Sequence, residues 1–228
     1  MSGPPSLIEN LHAALSPHGL FVRGTLVFTD DGPRLPDGST ARAVALIGHE
    51  GSSHWPAFCR WRQSDADGSL PDPLDRWSKA VIGPLASRFQ ATAFFPSDPP
   101  WQPFQQWAMR AEGLRPSPLG ILVHPRLGLW HGYRGALAFS EAGEGMGAIP
   151  AGDHPCDACV DKPCLSACPA GAILPEGFQY IPCRSFLASK AGGICLENGC
   201  LARAACPVGA EYRYARDQLQ FHMDALKR

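Results

Sequence analysis

The sequence predicts an α+β protein in two parts, an α/β sheet domain over residues 1–145 and a small cysteine-rich module over residues 146–228. Three observations carry this. Strand-like and helix-like apolar patterns alternate as far as residue 139. The segment EAGEGMGAIPAGDHP (141–155) is Gly-rich, polar and aperiodic, as a domain boundary would be. Eight of the nine cysteines then fall between Cys156 and Cys206. A chain of 228 residues is long enough for one sizeable core and a smaller unit.

The elements follow in order. SLIENLHAAL has the Ser-x-x-Glu spacing of a capping box, Ser6 to Glu9, ahead of a helix. GLFVRGTLVF (19–28) reads as a strand, DDGPRLPDGST as a turn-rich connection, and ARAVALIG (41–48) as a buried strand running into the loop Gly-His-Glu-Gly-Ser-Ser. DPLDRWSKAVIGPLASRF places Leu74, Trp77, Val81, Leu85 and Phe89 at helical spacing, with Asp72 and Asp75 where the helix dipole favours them. Gly83-Pro84 is expected to kink that helix. ATAFF is a third strand, WQPFQQWAMRAEGL a helix, LGILV a fourth strand and GALAF a fifth. EYRYARDQLQFHMDALKR closes the chain as a helix, with Tyr212, Tyr214, Leu219 and Leu226 as core or docking contacts.

Charge and composition narrow the function. With 20 basic and 21 acidic residues spread along the chain, nothing in the field favours nucleic acid or anionic lipid. The N-terminal apolar stretch contains Glu9 and two histidines, unlike a signal peptide, and no segment approaches about 18 consecutive apolar residues. A soluble cytoplasmic protein without a membrane partner is expected. Disulfides suit short secreted chains, so the cysteines read as ligands of a metal or cluster.

Their spacing is Cys156-x2-Cys159-x4-Cys164-x3-Cys168-Pro169, then Cys183-x11-Cys195-x4-Cys200-x5-Cys206-Pro207. Two sets of four, each ending in Cys-Pro, is the arithmetic of two 4Fe-4S clusters in a bacterial-ferredoxin-like module. In two-cluster ferredoxins the Cys before proline ligates the other cluster. That rule assigns Cys156, Cys159, Cys164 and Cys206 to one cluster and Cys168, Cys183, Cys195 and Cys200 to the other. Against a bacterial ferredoxin's spacing, the first group has two extra residues before Cys164 and the second is stretched at every gap. Structural zinc is the competing ligand, but it prefers paired C-x2-C knuckles and only one pair exists. Cys59, in PAFCRW, reads as an ordinary buried thiol. A free ferredoxin needs only the module, so the sheet domain is expected to bind the electron acceptor or dock a partner. No G-x-G-x-x-G follows a strand and no P-loop occurs.

The stretch HPRLGLWHGYRG, within residues 120–139, resembles the His-Pro-Arg-x-Gly-x-Trp…Arg-Gly segment of the cobalamin-processing chaperone family of methylmalonic aciduria and homocystinuria type C. ARAVALIGHEGSSHWPAF and DPLDRWSKAVIGPLASRF look like that family's early strand-loop-helix and its following Asp-Pro helix. The likeness covers roughly residues 40–140. Separately, Cys156 to Pro207, including PCRSFL and NGC…CP, is similar to the two-cluster module of epoxyqueuosine reductases and reductive dehalogenases. Those are cobalamin enzymes whose corrinoid domain shares the chaperone's fold.

The resemblance implies a minimal nitroreductase-like sheet domain that binds base-off cobalamin, with two 4Fe-4S clusters delivering electrons to cobalt. Arg134 matches the Arg of the Arg-Gly pair, and His124 and Trp130 match the same segment, while His131 and Tyr133 lie beside it. These five are the candidate cofactor-binding residues. The blander roles are a turn at His124-Pro125, a core position for Trp130 and a solvated loop for His131. The approach GLRPSPLG, the near-zero charge and the lack of a further helical repeat depart from epoxyqueuosine reductases, and no twin-Arg signal points to a dehalogenase. The leading expectation is an iron-sulfur oxidoreductase that reduces, processes or uses cobalamin, fed by a ferredoxin, flavodoxin or reductase. One alternative is an electron-transfer ferredoxin whose added domain holds flavin or a partner. The other is a non-catalytic cobalamin trafficking protein.

Overall fold

In the computed structural model, which describes residues 5–64, 70–150 and 152–226, the capping box of the first helix is formed. The Ser6 hydroxyl accepts from the Glu9 amide at 3.2 Å, and the Glu9 carboxylate accepts from the Ser6 amide at 2.7 Å. These contacts satisfy donors that the first turn of α1 (Leu7–Leu15) would otherwise leave open. Leu11 and Leu15 face the core.

β1 (Phe21–Val27) pairs antiparallel with β2 (Ala43–Glu50), with a bulge between Val22 and Gly24. β2 is buried from Ala43 to His49, which explains its uninterrupted apolar run. α2 (Trp55–Ser64) buries Trp55 and Phe58. α3 (Pro73–Arg88) opens on proline and buries Leu74, Trp77, Ser78, Ile82 and Leu85. Its inward stripe thus passes through Ile82, leaving Val81 and Phe89 half-buried, and the helix continues through Pro84 to Arg88. β3 (Thr92–Phe94) and α4 (Phe104–Glu112) follow, the latter burying Phe104, Trp107, Ala108 and Ala111. After Gly113 the chain forms β4 (Arg115–Pro116) and β5 (Leu122–Val123), then β6 (His131–Phe139). The main sheet has the order β1-β2-β6-β3, with β3 antiparallel to β6.

Two strands differ from the sequence reading. LGILV contributes only Leu122–Val123, which pairs with β4 in a separate two-stranded sheet. The Ser117–Gly120 turn, closed by the Ser117 amide donating to the Ile121 carbonyl at 2.8 Å, folds it back locally. GALAF instead belongs to a strand that begins four residues earlier, at His131.

The division into units also differs from a single cut between residues 145 and 146. One compact unit comprises Met1–Gly113 and Gly132–Ala151, the other Leu114–His131 and Gly152–Arg228. The Gly-rich segment stays with the first unit through Thr25, whose hydroxyl donates to the Gly147 carbonyl at 3.0 Å and accepts from the Gly147 amide at 2.8 Å. The Ile149 amide also donates to the Ala111 carbonyl at 2.9 Å. Residues 114–131 join the second unit because Leu119, Val123 and Leu129 complete an apolar cluster with Ile173 and Ala202.

The second unit continues with α5 (Pro155–Ala158), α6 (Pro163–Ser166), a hairpin of β7 (Ile173–Leu174) and β8 (Gly177–Phe178), then α7 (Tyr180–Leu187), α8 (Gly193–Asn198), α9 (Leu201–Ala204) and α10 (Arg216–Ala225). α10 packs against α8, and Tyr214 just ahead of it is buried while Leu226 is exposed. Two glycines make the join to residues 114–131 possible. Gly128 has φ +58, and a Cβ there would lie 1.9 Å from the Val208 carbonyl oxygen. Gly209 has φ +68, and a Cβ there would lie 2.2 Å from the Leu127 carbonyl carbon. Gly128→Ala is therefore expected to cost more than about 1 kcal/mol, read as a lower denaturant midpoint, because both the backbone angle and the opposing backbone must change. An unchanged midpoint would show that the turn yields freely.

Candidate functional site

The second unit gathers eight cysteines into two sets. Cys156 in α5, Cys159 at its end, Cys164 in α6 and Cys206 beyond α9 line a cavity of about 30 Å³. Cys168, Cys183 in α7, Cys195 in α8 and Cys200 ahead of α9 line another of about 270 Å³ with mainly apolar walls. Each set takes three cysteines that are near neighbours in order and one from the far group. No disulfide links any of the nine cysteines, and Cys59 lies in α2 of the first unit, half-buried.

The packing sets the chemistry of these thiols. Burial pushes Cys156 up from the ordinary thiol range, and the neighbouring Cys206, Cys164 and Cys159 push it further. Burial likewise raises Cys183, with Cys200, Cys168 and Cys195 adding to it. Backbone amides work in the opposite direction. Arg203 and Ala202 oppose the rise at Cys200, Leu201 opposes it at Cys195 and Val208 at Cys206. Burial and the neighbouring cysteines thus favour the neutral thiol at Cys156 and Cys183. Among the described residues, no three His, Cys, Asp or Glu side chains converge as ligands of a single metal ion.

Arg203 of α9 also lines the larger cavity. Its guanidinium carbon lies 4.5 Å from the ring centroids of both Trp130 and Tyr214, which meet edge-to-face at 5.3 Å. Its Nε donates to the Leu129 carbonyl at 3.1 Å, and its Nη2 donates to the same oxygen.

The five candidate cofactor residues divide between the units. His124, Trp130 and His131 belong to the second. His124 Nδ1 accepts from the Arg126 and Leu127 amides at 3.0 and 3.1 Å and so closes a tight turn. Trp130 is 1% exposed and forms one wall around Arg203. His131 is buried, donating from Nε2 to the Leu122 carbonyl at 3.0 Å, while its own carbonyl accepts from the Tyr214 hydroxyl at 3.2 Å.

Tyr133 and Arg134 belong to the first unit. The Tyr133 hydroxyl donates to Glu112 at 2.5 Å, and burial together with the Glu112 charge raises its pKa, keeping the phenol a donor. Glu112 also pairs with Arg23 at 2.8 Å, and Arg23 reaches Glu50 at 3.3 Å. Arg134 donates to the Tyr133 carbonyl at 2.9 Å and stands 3.6 Å from Asp75. None of the five lines either cysteine cavity, nor the first unit's cleft of about 590 Å³. That cleft is bordered by His18, Arg60, Trp61, Trp77, Pro84 and Arg88, and its volume falls in the range of small-molecule sites.

Several residues of consequence carry no sequence signal. Arg23, Glu112 and Arg203 stand in stretches whose apolar periodicity says nothing of their partners. At the loop after β2, His49 and His54 lie 4.0 Å apart between ring centroids. Gly132 leaves His49 its room, since a Cβ there would lie 2.9 Å from Nε2.

These features define a mixed α+β protein with a four-stranded sheet in one unit and two four-thiol cavities in the other. In fold the chain is similar to the crystal structure of a B12-trafficking protein CblC from C. elegans, described as a homologue of human MMACHC. The likeness has a TM-score of 0.53 at 12% identity and covers 95% of this chain and 92% of that one. No family model and no curated protein matches the chain. Among the described residues, no helix is long and apolar enough to cross a membrane.

Proposed function

We propose that this chain binds a corrinoid and handles it as a trafficking or processing protein. The observation that carries the proposal is the fold likeness to a B12-trafficking protein over nearly the whole of both chains. The HPRLGLWHGYRG stretch adds to it. Anaerobic titration with cobalamin tests it: the visible spectrum is expected to shift to the base-off form. A spectrum unchanged at saturating protein would sink the proposal.

Each of the five candidate residues has a partner within its own unit. Arg134 is the one whose partner a ligand can replace, because its pair with Asp75 is long and both side chains are partly exposed. Its planar fork suits a carboxylate or phosphate. Arg134→Ala is expected to weaken cobalamin binding about tenfold or more, the scale of a hydrogen bond to a charged group, and to leave iron content intact. Lost iron would instead make Arg134 a structural residue.

A second reading is favoured by a different observation, the two cavities lined by four cysteines each. Cys156, Cys159, Cys164 and Cys206 would hold one 4Fe-4S cluster, and Cys168, Cys183, Cys195 and Cys200 the other. The donor set fits: four thiols, desolvated walls and backbone amides directed at sulfur. Four ligands of a cubane each hold a different iron, so they need not converge as single-ion ligands do. Bound clusters would supply low-potential one-electron transfer. The chain's own part is to exclude water with Leu187, Phe186 and Met223 and to offer N–H groups to the sulfurs. In this reading the protein is an iron-sulfur oxidoreductase that reduces the corrinoid with electrons from a ferredoxin, flavodoxin or reductase. Anaerobically purified protein is expected to contain about eight irons per chain. A yellow preparation that releases flavin on denaturation and ignores cobalamin would replace it with the flavin-linked ferredoxin. Tight corrinoid binding with no electron reaching cobalt from the reduced protein would leave trafficking alone.

A further inference from the structure

We infer that Arg203 is a built-in cation that raises the reduction potential of the cluster held by Cys168, Cys183, Cys195 and Cys200, and of that cluster alone. The inference rests on the cluster reading above and adds to it a residue that ligates nothing.

Three observations converge on this side chain. It lines the same cavity as those four cysteines. Its guanidinium is held between Trp130 and Tyr214 at 4.5 Å from each ring, with two of its nitrogens on one carbonyl oxygen, that of Leu129. It sits in α9, which follows directly on Cys200. A mobile surface arginine would have its charge screened by water and salt, whereas one walled by two aromatic rings keeps its charge in place in a poorly hydrated setting. Among the described residues, the one Lys or Arg lining the smaller cavity is Lys162, an exposed residue.

The electrostatic sign follows. A 4Fe-4S cluster with four thiolates carries two negative charges when oxidised and three after taking one electron from the donor, with no proton needed. A fixed positive charge stabilises the more negative state, so Arg203 favours the electron's residence on this cluster. The three elements of the clamp come from distant parts of the chain, Trp130 from residues 114–131, Arg203 from α9 and Tyr214 from the approach to α10.

The test is an anaerobic redox titration of the iron-loaded full-length protein with dithionite and mediators, followed by electron paramagnetic resonance. Arg203→Gln is expected to lower one midpoint potential enough to shift the reduced-to-oxidised ratio at least tenfold, which is 59 mV for a one-electron couple. The other midpoint stays in place. Arg203→Lys keeps the charge and is expected to restore most of the shift. Should Arg203→Gln fail to hold iron, Tyr214→Leu removes one wall and is expected to shift the same midpoint downward. Arg213→Gln, which removes an exposed cation donating to the Ala204 carbonyl and lining neither cavity, controls for charge in general. Iron-loaded variants at Arg203 or Tyr214 with both midpoints unchanged, or shifted no more than in Arg213→Gln, overturn the inference. Wild-type protein that takes up no iron overturns the cluster reading instead.

Discussion

Cys168→Ala and Cys183→Ala are each expected to lower iron from about eight to about four per chain, and the double variant to lower it no further. Both remove a ligand of one cavity, so the second substitution finds its site already empty. Cys156→Ala combined with Cys168→Ala is the informative contrast. The two residues stand in one sequence group but line different cavities, and this pair is expected to lose nearly all the iron. Cys206→Ala with Cys156→Ala should again keep half. Four irons retained by the Cys156/Cys168 double variant would mean that the sets follow sequence order, contrary to the packing. Iron analysis and low-temperature electron paramagnetic resonance on each variant decide the matter.

Glu112→Ala is expected to cost about 3–5 kcal/mol, the scale for breaking a buried ion pair by removing one partner. Glu112 is 5% exposed and Arg23 3% exposed, so the arginine left behind cannot recover its hydration. Its remaining pair, with Glu50, is longer and partly open to solvent. The Tyr133 hydroxyl loses its acceptor as well. Glu112→Gln keeps an acceptor for Tyr133 and is expected to cost less. A cycle with Tyr133→Phe measures how much of the loss belongs to that hydrogen bond. Chemical denaturation gives each number, and a loss below 1 kcal/mol for Glu112→Ala would show that the arginine finds water or another carboxylate.

What could be read in advance was what neighbours along the chain decide. Ser6 and Glu9 specify the start of α1 by themselves, because their partners are three residues apart. The apolar run of β2 and the helical spacing of Leu74, Trp77 and Leu85 need only the existence of a core. LGILV shows the limit. Its apolar pattern suits a strand of the main sheet, yet a turn at Ser117–Gly120 and distant contacts to Ile173 and Ala202 place it elsewhere. Trp130 shows the limit for the site. Its motif marks it as a cofactor candidate, and the structure adds a contact with Arg203, a residue more than seventy positions away that no local pattern marks. For the cysteines, spacing and thiol chemistry supply only an expectation of cluster ligands, which stands as a proposal. Which thiols share a cavity still depends on the path between them.

The departure of residues 114–131 from the first unit has a consequence for biosynthesis. A ribosome releases these residues before the last strand of the first unit, so a nascent chain holds Leu119, Val123 and Leu129 without their apolar partners until Ala202 has emerged. The first unit can close once residue 151 is out, while each thiol set is still missing a member until Cys200 and Cys206 appear. In the cluster reading proposed above, loading of either site would therefore be tied to the end of synthesis. A fragment begun at residue 146 would contain every one of the eight cysteines and lack part of the core that arranges them.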